Sequence, residues 1–181
     1  MKRVLLDLWS VEGHIRAHIM ITRWLCLHIP ALGKILSMLM DRIMLSLYGI
    51  DLTGKSIDVA ALSISHPAGV LLGGNGIRSS GRVAIMAGVK FVARSPSNEE
   101  YLRRQKEQRV FELGDNVVIG ANSVVIGPLH ICDDVVIGAM SLVNRDITEP
   151  GVYVGTPARK ISDVVSDEWV SHLKKIERRQ S

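Results

Sequence analysis

Residues 113–147 read LGDNVVIGANSVVIGPLHICDDVVIGAMSLVNRDI, and an aliphatic residue recurs there at every sixth position: Leu113, Ile119, Val125, Ile131, Ile137 and Val143. Four residues after each stands a small or aliphatic residue: Val117, Ser123, Leu129, Val135, Ser141 and Ile147. A period of six matches neither the helical period of about 3.6 nor the strand period of about 2. It fits a β-helix of hexapeptides, in which short strands wind as a solenoid and each coil buries its inward aliphatics against the next. DNVVIGA at 115–121 also returns as DDVVIGA at 133–139. That echo predicts one triangular turn of three hexapeptides.

Working outward, residues 51–160 are the expected solenoid, with a less regular beginning. Ile64, Val70, Val83 and Val89 hold inward positions, but Asp58 falls where an aliphatic is due. The stretch Gly73 to Gly81 runs one residue over the frame, which predicts a small bulge. Between 93 and 112 the repeat stops and then resumes cleanly at Leu113, so this segment is an inserted loop of the kind that often lines a binding site. Residues 1–50 are Met- and Leu-rich with spaced charges and a break around Pro30 to Gly33, which predicts an N-terminal helical segment. Residues 161–181 are expected to form a C-terminal helix, begun by Ser166 with Asp167 and Glu168 in its first turn and closed by basic residues. The expected fold class is mainly β, with helices at both ends. The N-terminal helices are expected to cap the open first coil. Attachment to a membrane surface through residues 15–50 is the sharper alternative, because that stretch is unusually apolar.

The composition narrows the function. A net charge of +4 without a basic face interleaved with aromatics argues against a nucleic-acid partner. Cys26 and Cys132 lie far apart and match no metal or redox spacing. Nothing resembles a cleavable signal peptide and no charge-free run reaches the roughly 18 apolar residues of a bilayer span. The expected location is cytoplasmic, extending to the inner face of the membrane if the helices touch lipid.

A solenoid interior is too narrow for a pocket, so a site must lie between coils of neighbouring copies or under a loop. Of six histidines only His66 and His130 fall in the repeat region. His66 sits in Ser65-His66-Pro67-Ala68-Gly69 just after inward Ile64, whereas His130 is an outward surface position. A corner histidine suits general-base work, since an unperturbed imidazole titrates near working pH.

Three stretches carry a family resemblance. Ile50-Asp51 is followed at a set distance by Ile64-Ser65-His66 and Gly69-Val70; Ile119-Gly120-Ala121 and Ile137-Gly138-Ala139-Met140-Ser141 form regular coils; and Val154-Gly155-Thr156-Pro157-Ala158-Arg159-Lys160-Ile161 closes the repeat. Over about three-fifths of its length, from Gly49 to Ile161, the chain resembles the hexapeptide-repeat acyltransferases, with their left-handed β-helix, and within them the serine acetyltransferase-like subgroup. The resemblance implies a homotrimer that binds acetyl-CoA as co-substrate between adjacent solenoids, without a metal. His66 matches the catalytic histidine and Asp51 the carboxylate that orients it, the division of labour of histidine-based triads. Ala121 and Ala139 match positions along the pantetheine arm, and Arg159 with Lys160 match basic residues near the CoA phosphates.

The departures bear on the acceptor. Ser65 stands where serine acetyltransferases carry an Asp beside the histidine, and Gln108-Arg109-Val110-Phe111 lacks their second histidine. Of the long helical domain there remains an Arg23-Trp24-Leu25 resembling its end. Ser65, Arg23 and Arg109 are therefore the candidate acceptor-binding residues. A neutral acceptor, a hydroxyl of a sugar or polysaccharide precursor, is the expected substrate, with serine as the alternative. A carbonic-anhydrase-type metalloenzyme would need about three His ligands, which the coils lack. A catalytically silent scaffold would have no use for Asp51 and His66.

Overall fold

Every inward position of the six-residue frame between Leu113 and Ile147 is buried, including the hydroxyls of Ser123 and Ser141. Those buried hydroxyls are satisfied along the coil stack: Ser123 Oγ donates to Gly138 O (3.0 Å) and Ser141 Oγ accepts from Gly155 N–H (3.1 Å). The computed structural model describes residues 10–94, 97–163 and 165. In chain order its strands are β1 (Asp51–Leu52), β2 (Ile57–Ile64), β3 (Leu71–Leu72), β4 (Ile77–Ile85), β5 (Lys90–Ala93), β6 (Phe111–Leu113) and β7 (Val117–Ile119). They continue as β8 (Val124–Gly127), β9 (Leu129–Ile131), β10 (Val135–Ile137), β11 (Leu142–Val143), β12 (Gly151–Val154) and β13 (Arg159–Ser162).

The register states the coil length directly. In the sheet β1-β3-β5-β8-β11 all pairs are parallel: Asp51 faces Leu71, Leu71 faces Lys90, Lys90 faces Val124 and Val124 faces Leu142. The chain thus returns to one edge after 20, 19, 34 and 18 residues, and the single long return holds the insert. On the other sheet Val118 faces Val136, so the eighteen-residue echo is one full coil. Inside, Phe91 and Phe111 meet edge to face at 5.0 Å in a core otherwise filled mostly by Val, Ile and Leu.

The early coils refine the expected frame. Ile57, not Asp58, faces the core, and the half-exposed Asp58 carboxylate pairs with Arg23 and Arg78. The bulge is real: between Val59 and Ala61 the partner strand runs from Ser79 to Arg82, one residue longer. Gly81 sits in that bulge because an added Cβ would lie 2.4 Å from Asp115 Cα. Asp115 fills the gap and binds the Arg82 backbone N–H (2.7 Å) and guanidinium (3.0 Å).

The helical segment is a hairpin of α1 (Val11–His28) and α2 (Pro30–Tyr48). The break falls at Ile29, and Pro30 opens the second helix, where its missing N–H costs nothing. Gly33 lets the helices touch, since a Cβ there would sit 2.2 Å from Leu25 O. The hairpin caps the first coil through one buried cluster. His18 Nε2–H donates to Asp41 Oδ1 (2.7 Å), which also accepts the Gly54 N–H (3.2 Å) from the 3-10 turn Gly54–Ser56. Its other side leaves Met20, Trp24, Leu27, Leu32, Ile35, Leu39, Ile43 and Leu47 exposed. No helix among the described residues is long and apolar enough to cross a membrane.

Two expectations change. The insert is narrower than 93–112 and contains a helix, α3 (Glu99–Lys106), capped by Asn98 and anchored by buried Tyr101, whose hydroxyl donates to Asn75 Oδ1 (2.7 Å). Residues 159–162, placed partly in a C-terminal helix, form β13, which pairs antiparallel with β12. The extended strand wins there because it closes the exposed edge of β12. Ser166, Asp167 and Glu168 lie outside the described residues.

Two measurements check this packing. Gly54→Ala would place a Cβ 2.4 Å from Thr22 Oγ1 and 3.0 Å from His18 Nε2. Such overpacking is expected to cost about 1–3 kcal/mol in chemical denaturation. Arg82 hydrogen-bonds Asp115 and holds its carboxyl below the usual range. A depressed carboxylate stabilises above its unfolded pKa of about 3.9 and loses that contribution as pH falls through the folded value. Arg82→Ala should therefore lower Tm more at about pH 7 than at about pH 2.

Candidate functional site

The turn that leaves β2 is SHPAG, residues 65–69. Ser65 N–H donates to Ile85 O (2.9 Å), which keeps the chain in register with the next coil up to the turn itself. His66 then takes a φ of 58°, a conformation sparsely used by residues with a side chain, and its imidazole is exposed. Strain of this kind costs about 1–3 kcal/mol and concentrates at functional positions.

The same corner recurs up the solenoid. Gly69 N–H donates to Gly49 O, Gly88 N–H to Ala68 O, Asn122 N–H to Ala87 O and Met140 N–H to Ala121 O, at 2.8–3.1 Å. Each of Gly69, Gly88, Asn122 and Met140 has positive φ, and each follows an alanine. Ala68, Ala87, Ala121 and Ala139 thus stack as a column of small side chains running from the His66 turn along the solenoid axis. Ala121 and Ala139 were expected from the sequence, whereas Ala68 and Ala87 were not. Their signal was an Ala-Gly pair at two turns, which the six-residue frame does not weigh.

Asp51 belongs to this corner as well. It lies two residues beyond Gly49, its N–H donates to Val70 O (2.9 Å), and its carboxylate is exposed. Asp51, Ser65 and His66 therefore occupy successive coils of one edge. Among the described residues no hydrogen bond or ion pair joins Asp51 to His66. Both side chains are open to solvent, so packing does not hold either ring or carboxylate apart.

Other candidates are placed elsewhere. Arg23 Nη1 donates to Ile57 O (3.0 Å) and to the Asp58 carboxylate, so it bolts α1 to the start of β2. Arg109 pairs with Glu112 and leads into β6, beside the start of β4 at Ile77–Arg78. The His66 corner adjoins the far end of β4, at Ile85. Within one chain neither arginine reaches it. Lys160 bridges Glu149 (3.1 Å) and Asp163 (2.6 Å), and those bonds raise its pKa to about 12. Arg159 beside it is exposed, with its guanidinium on Ala158 O. The Cys132 thiol is pushed up by burial, consistent with packing. Among the described residues no group of three His, Cys, Asp or Glu could hold a metal ion. A groove of about 420 Å³ between α1 and β2 contains none of the corner residues.

Residues 112–145 match the family described as bacterial transferase hexapeptide (six repeats). A chloramphenicol acetyltransferase of Morganella morganii is 35% identical over 65 residues, 36% of this chain and 31% of the relative. A serine acetyltransferase of Buchnera aphidicola is 24% identical over 142 residues, 78% of this chain and 49% of the relative. The chain therefore spans half or less of the curated relatives it matches. The solved serine acetyltransferase of Neisseria gonorrhoeae superposes with a TM-score of 0.70 at 22% identity, over 91% of this chain and 60% of that one. A serine acetyltransferase solved in complex with CoA gives 0.62 at 19% identity, over 86% and 59%. Residues 112–145 thus carry the hexapeptide repeat, and the fold of the chain is like that of serine acetyltransferases.

Proposed function

We propose that the chain is an acetyl-CoA-dependent O-acetyltransferase working at the His66 corner. The observation that carries this reading is the convergence of an exposed, conformationally strained histidine with a column of alanines leading away from it. Alanine side chains leave a shallow track along which a long thin donor can lie, with its thioester ending at His66. His66 then takes the proton of the acceptor hydroxyl as the oxygen bonds to the acetyl carbonyl carbon. The carbon–sulfur bond breaks and the CoA thiolate leaves with that proton. Direct meeting of the two substrates supplies the rate by proximity, without a covalent enzyme intermediate. Asp51, on the coil beside His66, is the carboxylate that steadies the imidazolium during transfer.

The relatives support serine as the acceptor above the sugar hydroxyl expected from the sequence, because the proteins similar over most of this chain are serine acetyltransferases. One feature favours the sugar: Ser65 offers a neutral hydroxyl where an ammonium group would call for a carboxylate. The left-handed coil sense and trimeric assembly go with this reading. Arg109 and Arg23 lie at the far end of β4 and β2 from His66, so only a neighbouring copy could bring them to this corner. Arg159, with Lys160 tied up by two carboxylates, is the candidate for the CoA phosphates. The exposed side of the α1–α2 hairpin is the surface through which a peripheral membrane contact of residues 15–50 would act.

Two measurements test the assignment. His66→Ala is expected to lower acetyl transfer, followed by release of the CoA thiol, by about 10²–10⁴-fold. Full activity in that variant removes His66 from the mechanism. Ala139→Leu, at an exposed corner, should weaken CoA binding in titration calorimetry by about tenfold or more, the equivalent of about 1.4 kcal/mol. Unchanged affinity would mean that the donor does not follow the alanine column.

A further inference from the structure

Asp51 also lines a cavity of about 350 Å³ between α2 and the first coil. Its wall combines Lys34, Asp41 and Arg42 from α2 with Asp51, Thr53 and Lys55 from the first coil. The three cations are exposed, and none has an ion-pair partner among the described residues. Of the two carboxylates, Asp41 is committed: its Oδ1 accepts both from buried His18 and from the Gly54 N–H. What faces the cavity is therefore an excess of positive charge around a polar hollow, with Asp51 forming its border with the His66 edge. Three unpaired cations brought together by two separate elements repel one another, and an anion between them would relieve that repulsion.

The geometry points to an anion-binding subsite for the acceptor: Arg42, with Lys34 and Lys55, holds a carboxylate or phosphate carried by the molecule whose hydroxyl is acetylated. This assignment rests on the acetyl-transfer reading and requires its acceptor to carry a carboxylate or phosphate beside the hydroxyl. The planar guanidinium of Arg42 can grip two oxygens of such a group at once, while the lysines act as point charges beside it. A carboxylate would come from a hydroxy amino acid and a phosphate from a sugar phosphate. The chemistry the cavity offers is the same for both.

Matched pairs of probes separate these cases. The full chain is titrated calorimetrically with L-serine and L-serinamide, and with glucose 6-phosphate and glucose. The member that carries the carboxylate or phosphate is expected to bind while its twin lacking that group does not, and which pair responds identifies carboxylate or phosphate. Arg42→Ala should weaken that binding by about 10–100-fold, the usual effect of losing a hydrogen bond to a charged group. Arg42→Lys should restore part of it, and Lys55→Ala should produce a smaller loss. Equal binding of both twins, binding of neither anion, or wild-type affinity in both Arg42→Ala and Lys55→Ala overturns the subsite. Thiol release from acetyl-CoA is followed separately with the same probes. An anion that binds in an Arg42-dependent way without being acetylated would leave the subsite standing and overturn the acetyl-transfer reading.

Discussion

The structure depends on one constraint: its strands, of two to four residues everywhere except β2 and β4, must stack in a constant register, because none is stable unless its neighbours pair with it. That requirement explains why inward positions hold mostly aliphatic and small side chains, with Phe91 and Phe111 packed against each other. A single misfit would misalign every coil above it, since each strand takes its register from the one below. Deviations are therefore pushed outward. The extra residue at Gly81 bulges over Asp115, and the long return between β5 and β8 leaves the coil as α3. The first coil, lacking a neighbour on one side, is closed by the hairpin through the His18–Asp41–Gly54 cluster.

How much of this could be read beforehand follows from the same constraint. From Leu113 to Ile147 the frame was fully legible, because coil geometry repeats and the residues repeat with it. Near Asp58 it was less so: the bulge shifts the frame by one, and only the burial of Ile57, with Asp58 turned out to Arg23, shows which residue faces inward. α3 was hidden because two turns of helix carry too little periodicity to register. β13 was hidden because it forms in response to the open edge of β12, a tertiary cause without a local signature.

Site residues divide in the same way. His66 stood out since histidines are scarce in the coils, and the alanines of the regular block stood out by repetition. Ala68 and Ala87 did not, because alanine has no chemistry of its own and acquires meaning only by stacking. Arg23 and Arg109 looked suitable by residue type, yet a sequence does not say at which end of a strand a side chain will emerge. Lys34, Arg42 and Lys55 had the opposite fate. Twenty-one residues separate the first from the last, and they face one cavity only because the hairpin folds back over the first coil. In the proposed reading the acceptor side is thus written in the irregular part of the chain and the donor side in the regular part.

The column of corner alanines has a metric consequence. Its members sit on consecutive coils, and neighbouring strands are spaced by about 4.8 Å, so the three steps from Ala68 to Ala139 measure about 14 Å. The solenoid is in this sense a ruler graduated in coils. A flexible molecule laid along it can be matched only in whole graduations, since a coil cannot be added in part without breaking the register. Matching by length along such a column is digital, set by counting repeats, whereas matching at a cavity such as the one beside Asp51 is analogue, set by the placement of individual charges.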